Sequence, residues 1–98
     1  MILVTGSFTS RRERIAEALA LSLEHVRRAR TEPGCLAHAV HQDAEDSLRL
    51  VFVEEWADRA ALAAHFALPA SRAFVKAAAA MAVAAPTINV YDATRISL

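Results

Sequence analysis

Trp56 and His65 are the residues whose types and spacing most invite chemistry. Trp56, the only tryptophan, closes the run Val51-Phe52-Val53-Glu54-Glu55-Trp56, and His65 follows nine positions later beside Leu62 and Phe66. An imidazole titrates near neutral pH, so His65 can serve as a base or as a hydrogen-bond partner for a phenol. A tryptophan at a strand end is ordinarily a packing residue. Close to a histidine it can instead be the flat wall of a pocket that combines apolar surface with few polar groups. Glu54 alternates onto the same strand face as Phe52 and Trp56. If that face is covered, its carboxylate needs a partner, either Arg72 or a cation in the neighbourhood of Arg49. Arg72 could alternatively pair with an anionic substrate.

The other candidates carry less. His38 and His41 stand three apart on one strand, so their rings point to opposite faces and do not readily share an ion. No Cys or second His pair completes a zinc-type set, and no metal site is expected. His38 alone can face a cavity. His25 reads as a surface residue of the first helix. Cys35, the lone cysteine, excludes an internal disulfide and has no activating neighbour in sequence. Gly6 and Gly34 are the only glycines, too few for a dinucleotide or phosphate loop. No cofactor held by such a loop is expected.

These residues must be positioned by surrounding elements. Ile2 to Phe8 reads as a strand. Ser10 with Glu13 reads as a capping box. Ile15, Leu19, Ser22, Leu23 and Val26 then recur at helical spacing as a buried stripe. Pro33 and Gly34 stop that helix. Cys35 to Gln42 and Leu48 to Trp56 read as strands joined by the acidic turn Asp43 to Ser47, hence a hairpin. Asp58 is a good N-cap for a short helix carrying Leu62, His65 and Phe66. Pro69 opens another, with Phe74, Val75, Ala78, Met81 and Ala82 as its stripe and Pro86 at its end. Thr87 to Thr94 is the last strand. The order is βαββαβ with the second helix doubled, an α+β, ferredoxin-like pattern with a four-stranded antiparallel sheet, in one domain over residues 1–98.

The third strand is apolar on both faces, with Leu48, Leu50, Phe52 and Trp56 on one and Val51 and Val53 on the other. A sheet with one wet face does not look like this. One face meets the chain's own helices, and the other most economically meets a second copy of the same sheet, so a homodimer is expected. Lys plus Arg and Asp plus Glu balance at 11 each, and no basic run marks a nucleic-acid surface. No apolar stretch approaches the ~20 residues of a membrane span. With no secretory signal in evidence, a soluble, cytoplasmic protein is expected.

Glu32-Pro33-Gly34-Cys35-Leu36, then Glu55-Trp56, then Ala61-Leu62 and His65, resemble the antibiotic biosynthesis monooxygenase domain, most closely the quinol monooxygenase group of the dimeric α+β barrel superfamily. The resemblance covers nearly the whole chain. It implies a homodimer whose sheets form a barrel-like core, with an apolar cavity between sheet and helices in each subunit. It also implies oxidation of a small phenol or quinol by molecular oxygen, with neither metal nor flavin. Trp56 is then the wall and His65 the base or hydrogen-bond donor, with Phe8, Phe66, Phe74 and Tyr91 as lining. The sequence departs from many relatives at Ala70, where they carry a second histidine, and from those acting on polycyclic phenols or haem in its first strand, where Thr5 and Ser7 are the polar residues nearest their asparagine. Two other classes follow from the same superfamily. One is an isomerase or mutarotase using His38, His65 and Glu54 for proton transfer. The other is a non-catalytic ligand-binding dimer.

Overall fold

The computed structural model describes residues 1–98. Four strands form one antiparallel sheet: β1 (Ile2–Thr9), β2 (Cys35–Gln42), β3 (Arg49–Trp56) and β4 (Thr87–Asp92), in the spatial order β2-β3-β1-β4. Helices α1 (Ile15–Ala29), α2 (Arg59–Ala67) and α3 (Pro69–Met81) supply the second layer. This is the α+β ferredoxin-like arrangement expected from the order of elements. No helix is long and apolar enough to cross a membrane.

Strand alternation decides which residues the helices cover. Ile2, Val4 and Phe8 of β1 and Leu50, Phe52, Glu54 and Trp56 of β3 are buried. The register pairs Ile2 with Trp56, Val4 with Glu54, Gly6 with Phe52 and Phe8 with Leu50, so these side chains share one face. On the opposite face Val53 is 39% exposed and Tyr91, opposite Leu3, is 49% exposed. β4 is an edge strand with every residue exposed.

The buried apolar residues form two clusters. Phe8, Val26, Leu50, Phe52, Ala78 and Met81 belong to the larger. Ile2, Val4, Trp56 and Leu62 form the smaller. Along β3 the larger cluster ends at Phe52 and the smaller resumes at Trp56, with Glu54 between them. The core is thus divided by a polar layer, and that layer holds the candidate site. Burial of each large apolar side chain here contributes about 1.5–3 kcal/mol.

Several local expectations are corrected. Ser10 and Glu13 make no capping box: Ser10 Oγ donates to the Arg11 carbonyl at 2.8 Å, and a single 3-10 turn at Arg12–Arg14 precedes α1 with no side-chain cap. The buried stripe of α1 is Ala18, Ser22, His25, Val26 and Ala29, rotated from the one centred on the larger apolar residues. His25 is therefore 6% exposed and not a surface residue. In α3 Val75 is 56% exposed, and Ser71 takes the inward position instead. That helix ends at Met81, before Pro86.

Other local signals hold. Asp58 caps α2 by accepting the Ala61 N–H at 2.8 Å. Pro69 sits in the first turn of α3. Gly34 adopts φ +81°, and a Cβ there would lie 2.5 Å from the Cβ of Ala61, so both the left-handed backbone and the approach of α2 require glycine.

Candidate functional site

Three histidines from three different elements meet in the polar layer. His25 comes from α1, His38 from β2 and His65 from α2. Their ring centroids lie 5.4 Å apart for His25–His38, 5.1 Å for His25–His65 and 5.6 Å for His38–His65. All three are buried, together with Glu54 and Ser71.

Each imidazole has a charged neighbour. His65 Nδ1 lies 2.7 Å from Glu32 Oε1, with Ser71 Oγ at 3.4 Å. A carboxylate only accepts, so Nδ1 carries the proton and Nε2 keeps the lone pair. Arg28 Nη2 is 3.0 Å from His25 Nδ1. A guanidinium only donates, so here Nδ1 accepts and Nε2 carries the proton. His38 Nε2 stands 3.1 Å from Glu54 Oε1, a close contact without hydrogen-bond alignment.

Glu54 finds its partners on its own sheet and not among the arginines. Trp56 Nε1–H donates to Glu54 Oε1 at 2.9 Å. Arg72 is exposed, and Arg49 pairs instead with Asp43 at 2.9 Å. Burial opposes ionisation of Glu54, yet the His38 ring and the indole N–H together hold its carboxyl below the usual carboxylate range. His25 is pushed down to about 3, first by burial and then by the neighbouring His38, His65 and Arg28. It is a neutral ring at physiological pH. Burial pushes the Cys35 thiol up, which leaves it unreactive.

A cavity of about 260 Å³ opens beside this layer. Phe8, Phe52, Phe66, Phe74 and Ile88 give it apolar walls. His25, Glu54, His65 and Ser71 supply its polar groups. The His25 ring is stacked on Phe74 at 4.1 Å and 12°. A second depression, bounded by Glu32, Gly34, Asp58 and Leu68, also reaches His65.

The expected site residues divide accordingly. His65, Glu54, Phe8, Phe66 and Phe74 reach the cavity. Trp56 does not line it. It is fully buried behind His65, its ring 4.7 Å from the imidazole, and acts on the site through Glu54. His38 is also set back from the cavity, at the base of the histidine group. Tyr91 misses because alternation along β4 turns it to the open face with Leu3. Arg72 lies on the exposed side of α3. His25, Glu32 and Ser71 were not foreseen, since nothing in their local sequence distinguishes them from helix-surface or loop residues.

The antibiotic biosynthesis monooxygenase family model matches residues 1–77. The chain belongs to the antibiotic biosynthesis monooxygenase family. A crystal structure of an antibiotic biosynthesis monooxygenase is 35% identical, with a TM-score of 0.89, covering 97% of this chain and 100% of that one. A candidate antibiotic biosynthesis monooxygenase of Deinococcus radiodurans superposes with a TM-score of 0.94 at 24% identity, covering 100% of this chain and 97% of that one. This second likeness is one of fold. An uncharacterized protein of Synechocystis sp. is 30% identical over 92% of the chain, which spans 61% of that relative's length. The matched residues include β1 and β3, the α1, β2 and α2 segments that hold the histidines, and most of α3.

Proposed function

We propose that this family member oxidises a small phenol or hydroquinone with molecular oxygen, the electrons coming from the substrate itself and not from a bound cofactor. The observation that carries this reading is the Glu32–His65 pair at 2.7 Å, set beside an aromatic-walled cavity that His65 lines. His65 Nε2, with its lone pair free, takes the phenol proton. Glu32 stabilises the resulting imidazolium and borders the second depression, which gives the proton a way to solvent. The phenolate so formed is electron-rich enough to reduce oxygen. For a simple phenol, one oxygen atom enters the ring and the other leaves as water, and the ring gives up four electrons to become a quinone. The apolar walls keep water from the reacting pair.

Oxygen uptake with a panel of phenols and hydroquinones, in chelator-treated buffer, tests this. His65→Ala should lower the rate by about 10²–10⁴-fold, the usual contribution of a positioned acid–base group. Trp56→Phe should lower it less, because Trp56 acts through Glu54. Equal low rates for wild type and both variants would sink the reading. An isomerase using His38, His65 and Glu54 for proton transfer is favoured by one water-open pocket lined by all three, and the apolar walls and recessed His38 weigh against it.

The open sheet face supports a homodimer. It carries Leu3, Val51 and Val53, which the chain's own helices leave uncovered. Light scattering should then report twice the 10.6 kDa chain mass. A reducing, cytoplasmic setting fits the single thiol of Cys35.

A further inference from the structure

We propose that His25, His38 and His65 form a binding site for one divalent transition-metal ion of the zinc and cobalt class, at the inner end of the cavity. A metal ion here would occupy the His65 nitrogen that takes the phenol proton above, so ion binding and base function exclude one another, and the test reads binding and not turnover.

The geometry favours such an ion. Each ring offers one nitrogen, and the three nitrogens lie within 4.8 Å of one another. Zinc–nitrogen bonds of about 2.0–2.1 Å in a tetrahedral site need nitrogens roughly 3.4 Å apart, so the rings need draw in by only about an ångström. His38 Nδ1 is buried and has no hydrogen-bond partner. Buried polar nitrogens without partners are rare and call for a physical reason. An ion that accepts its lone pair is one.

The surroundings match what imidazole ligands of metals usually have. Glu32 holds the far nitrogen of His65, and Glu54 stands against His38. Together the two carboxylates offset a double positive charge. Glu32 Oε2 is itself buried and unpartnered, so the local balance favours a cation. Nitrogen donors with nearby carboxylates suit zinc, cobalt, nickel and copper over calcium or magnesium. His25, Glu54 and His65 all reach the cavity, which supplies the entry path.

Arg28 opposes the ion. If His25 binds metal through Nδ1, Arg28 must leave that nitrogen. If it binds through Nε2, the proton must move to Nδ1, which Arg28 also blocks. Either way the guanidinium competes, and its own buried Nε lacks a partner. Removing it should therefore tighten metal binding.

Zinc titrated calorimetrically into chelator-stripped protein, with cobalt(II) absorption as the second readout, tests the site. One equivalent per chain is expected, with the intense visible bands of a tetrahedral cobalt centre. His25→Gln, His38→Gln and His65→Gln should each weaken zinc at least tenfold. Arg28→Ala should strengthen it, and His41→Gln, on the opposite sheet face, should leave it unchanged. Circular dichroism confirms that each variant is folded. Absence of stoichiometric zinc and cobalt binding by the folded wild-type chain overturns the proposal whatever the variants do. Binding that survives in all three histidine variants, or that falls equally in His41→Gln, overturns it as well. None of these outcomes depends on phenol oxidation, so the two readings fail separately.

Discussion

Glu32 Oε1 and His65 Nδ1 are 2.7 Å apart although 33 positions separate them in the chain. Glu32 sits in the turn after α1 and His65 near the end of α2, and the close approach of α2 to Gly34 brings them together. The pair fixes the tautomer of His65 and so decides which ring nitrogen is basic.

Glu32→Gln keeps an acceptor oxygen but loses the charge that stabilises an imidazolium. Phenol oxidation should fall at least about tenfold, within the range that acid–base groups contribute. Glu32→Ala also removes the hydrogen bond, and unfolding in urea should show a loss of about 1–3 kcal/mol. Unchanged rates in both variants would remove Glu32 from the mechanism.

Trp56→Phe keeps the ring in place but deletes the N–H that serves Glu54. The carboxylate then faces burial with only His38 beside it. The Glu54 carboxyl should titrate at higher pH, followed by carboxyl NMR, and stability should drop by about 1–3 kcal/mol.

The metal-free protein should lose stability in acid before its surface carboxylates titrate. His25 has a folded value of about 3 against an ordinary 6.5, so the unfolded chain takes up its proton first. Stability is therefore complete above about pH 6.5 and declines as pH falls toward 3. Glu54, depressed below its ordinary 4.5, adds to the decline at the lower end. His25→Gln should flatten the curve between these limits by up to about one proton. Urea midpoints measured across this range check it, and an equally steep curve in the variant would refute the assignment.

Gly34→Ala should destabilise by about 1–3 kcal/mol, the usual range for a strained left-handed residue. Its φ of +81° disfavours a side chain, and the new Cβ would strike Ala61. Ala61→Gly in the same chain should recover only part of the loss, because it relieves the clash and not the backbone strain. Thermal melts of the single and double variants separate the two contributions.

The strands are legible in the sequence because hydrophobic alternation and turn chemistry are local. The β2 limits, the Asp58 cap and the Pro69 start all follow from neighbours in the chain. The site was legible only in part. Glu54, His65, Phe8, Phe66 and Phe74 sit on faces that periodicity can assign. His25 could not be assigned, because the inward face of α1 is built from small residues such as Ala18, Ser22 and Ala29, while Leu19, Leu21 and Leu23 lie only partly buried at its margins. The small residues let α1 come close enough for a histidine to reach His38 and His65. Glu32 was hidden for another reason: its partner is distant in sequence, and only the packing of α2 against the Gly34 turn reveals it. Arg72 and Tyr91 failed because each is one register step from the inward face.

The cavity draws Gly6 and Ser7 from one end of the chain and Thr87 and Ile88 from the other, with the register pairing Gly6 to Ile88 and Ser7 to Thr87. The β2–β3 hairpin can form from neighbours, but this closure requires the two ends to meet across almost the whole sequence. The cavity is therefore complete only when β4 is paired with β1. A molecule held there would act as a clasp on both terminal strands. It would slow amide exchange along β1 and β4 well before it altered the hairpin.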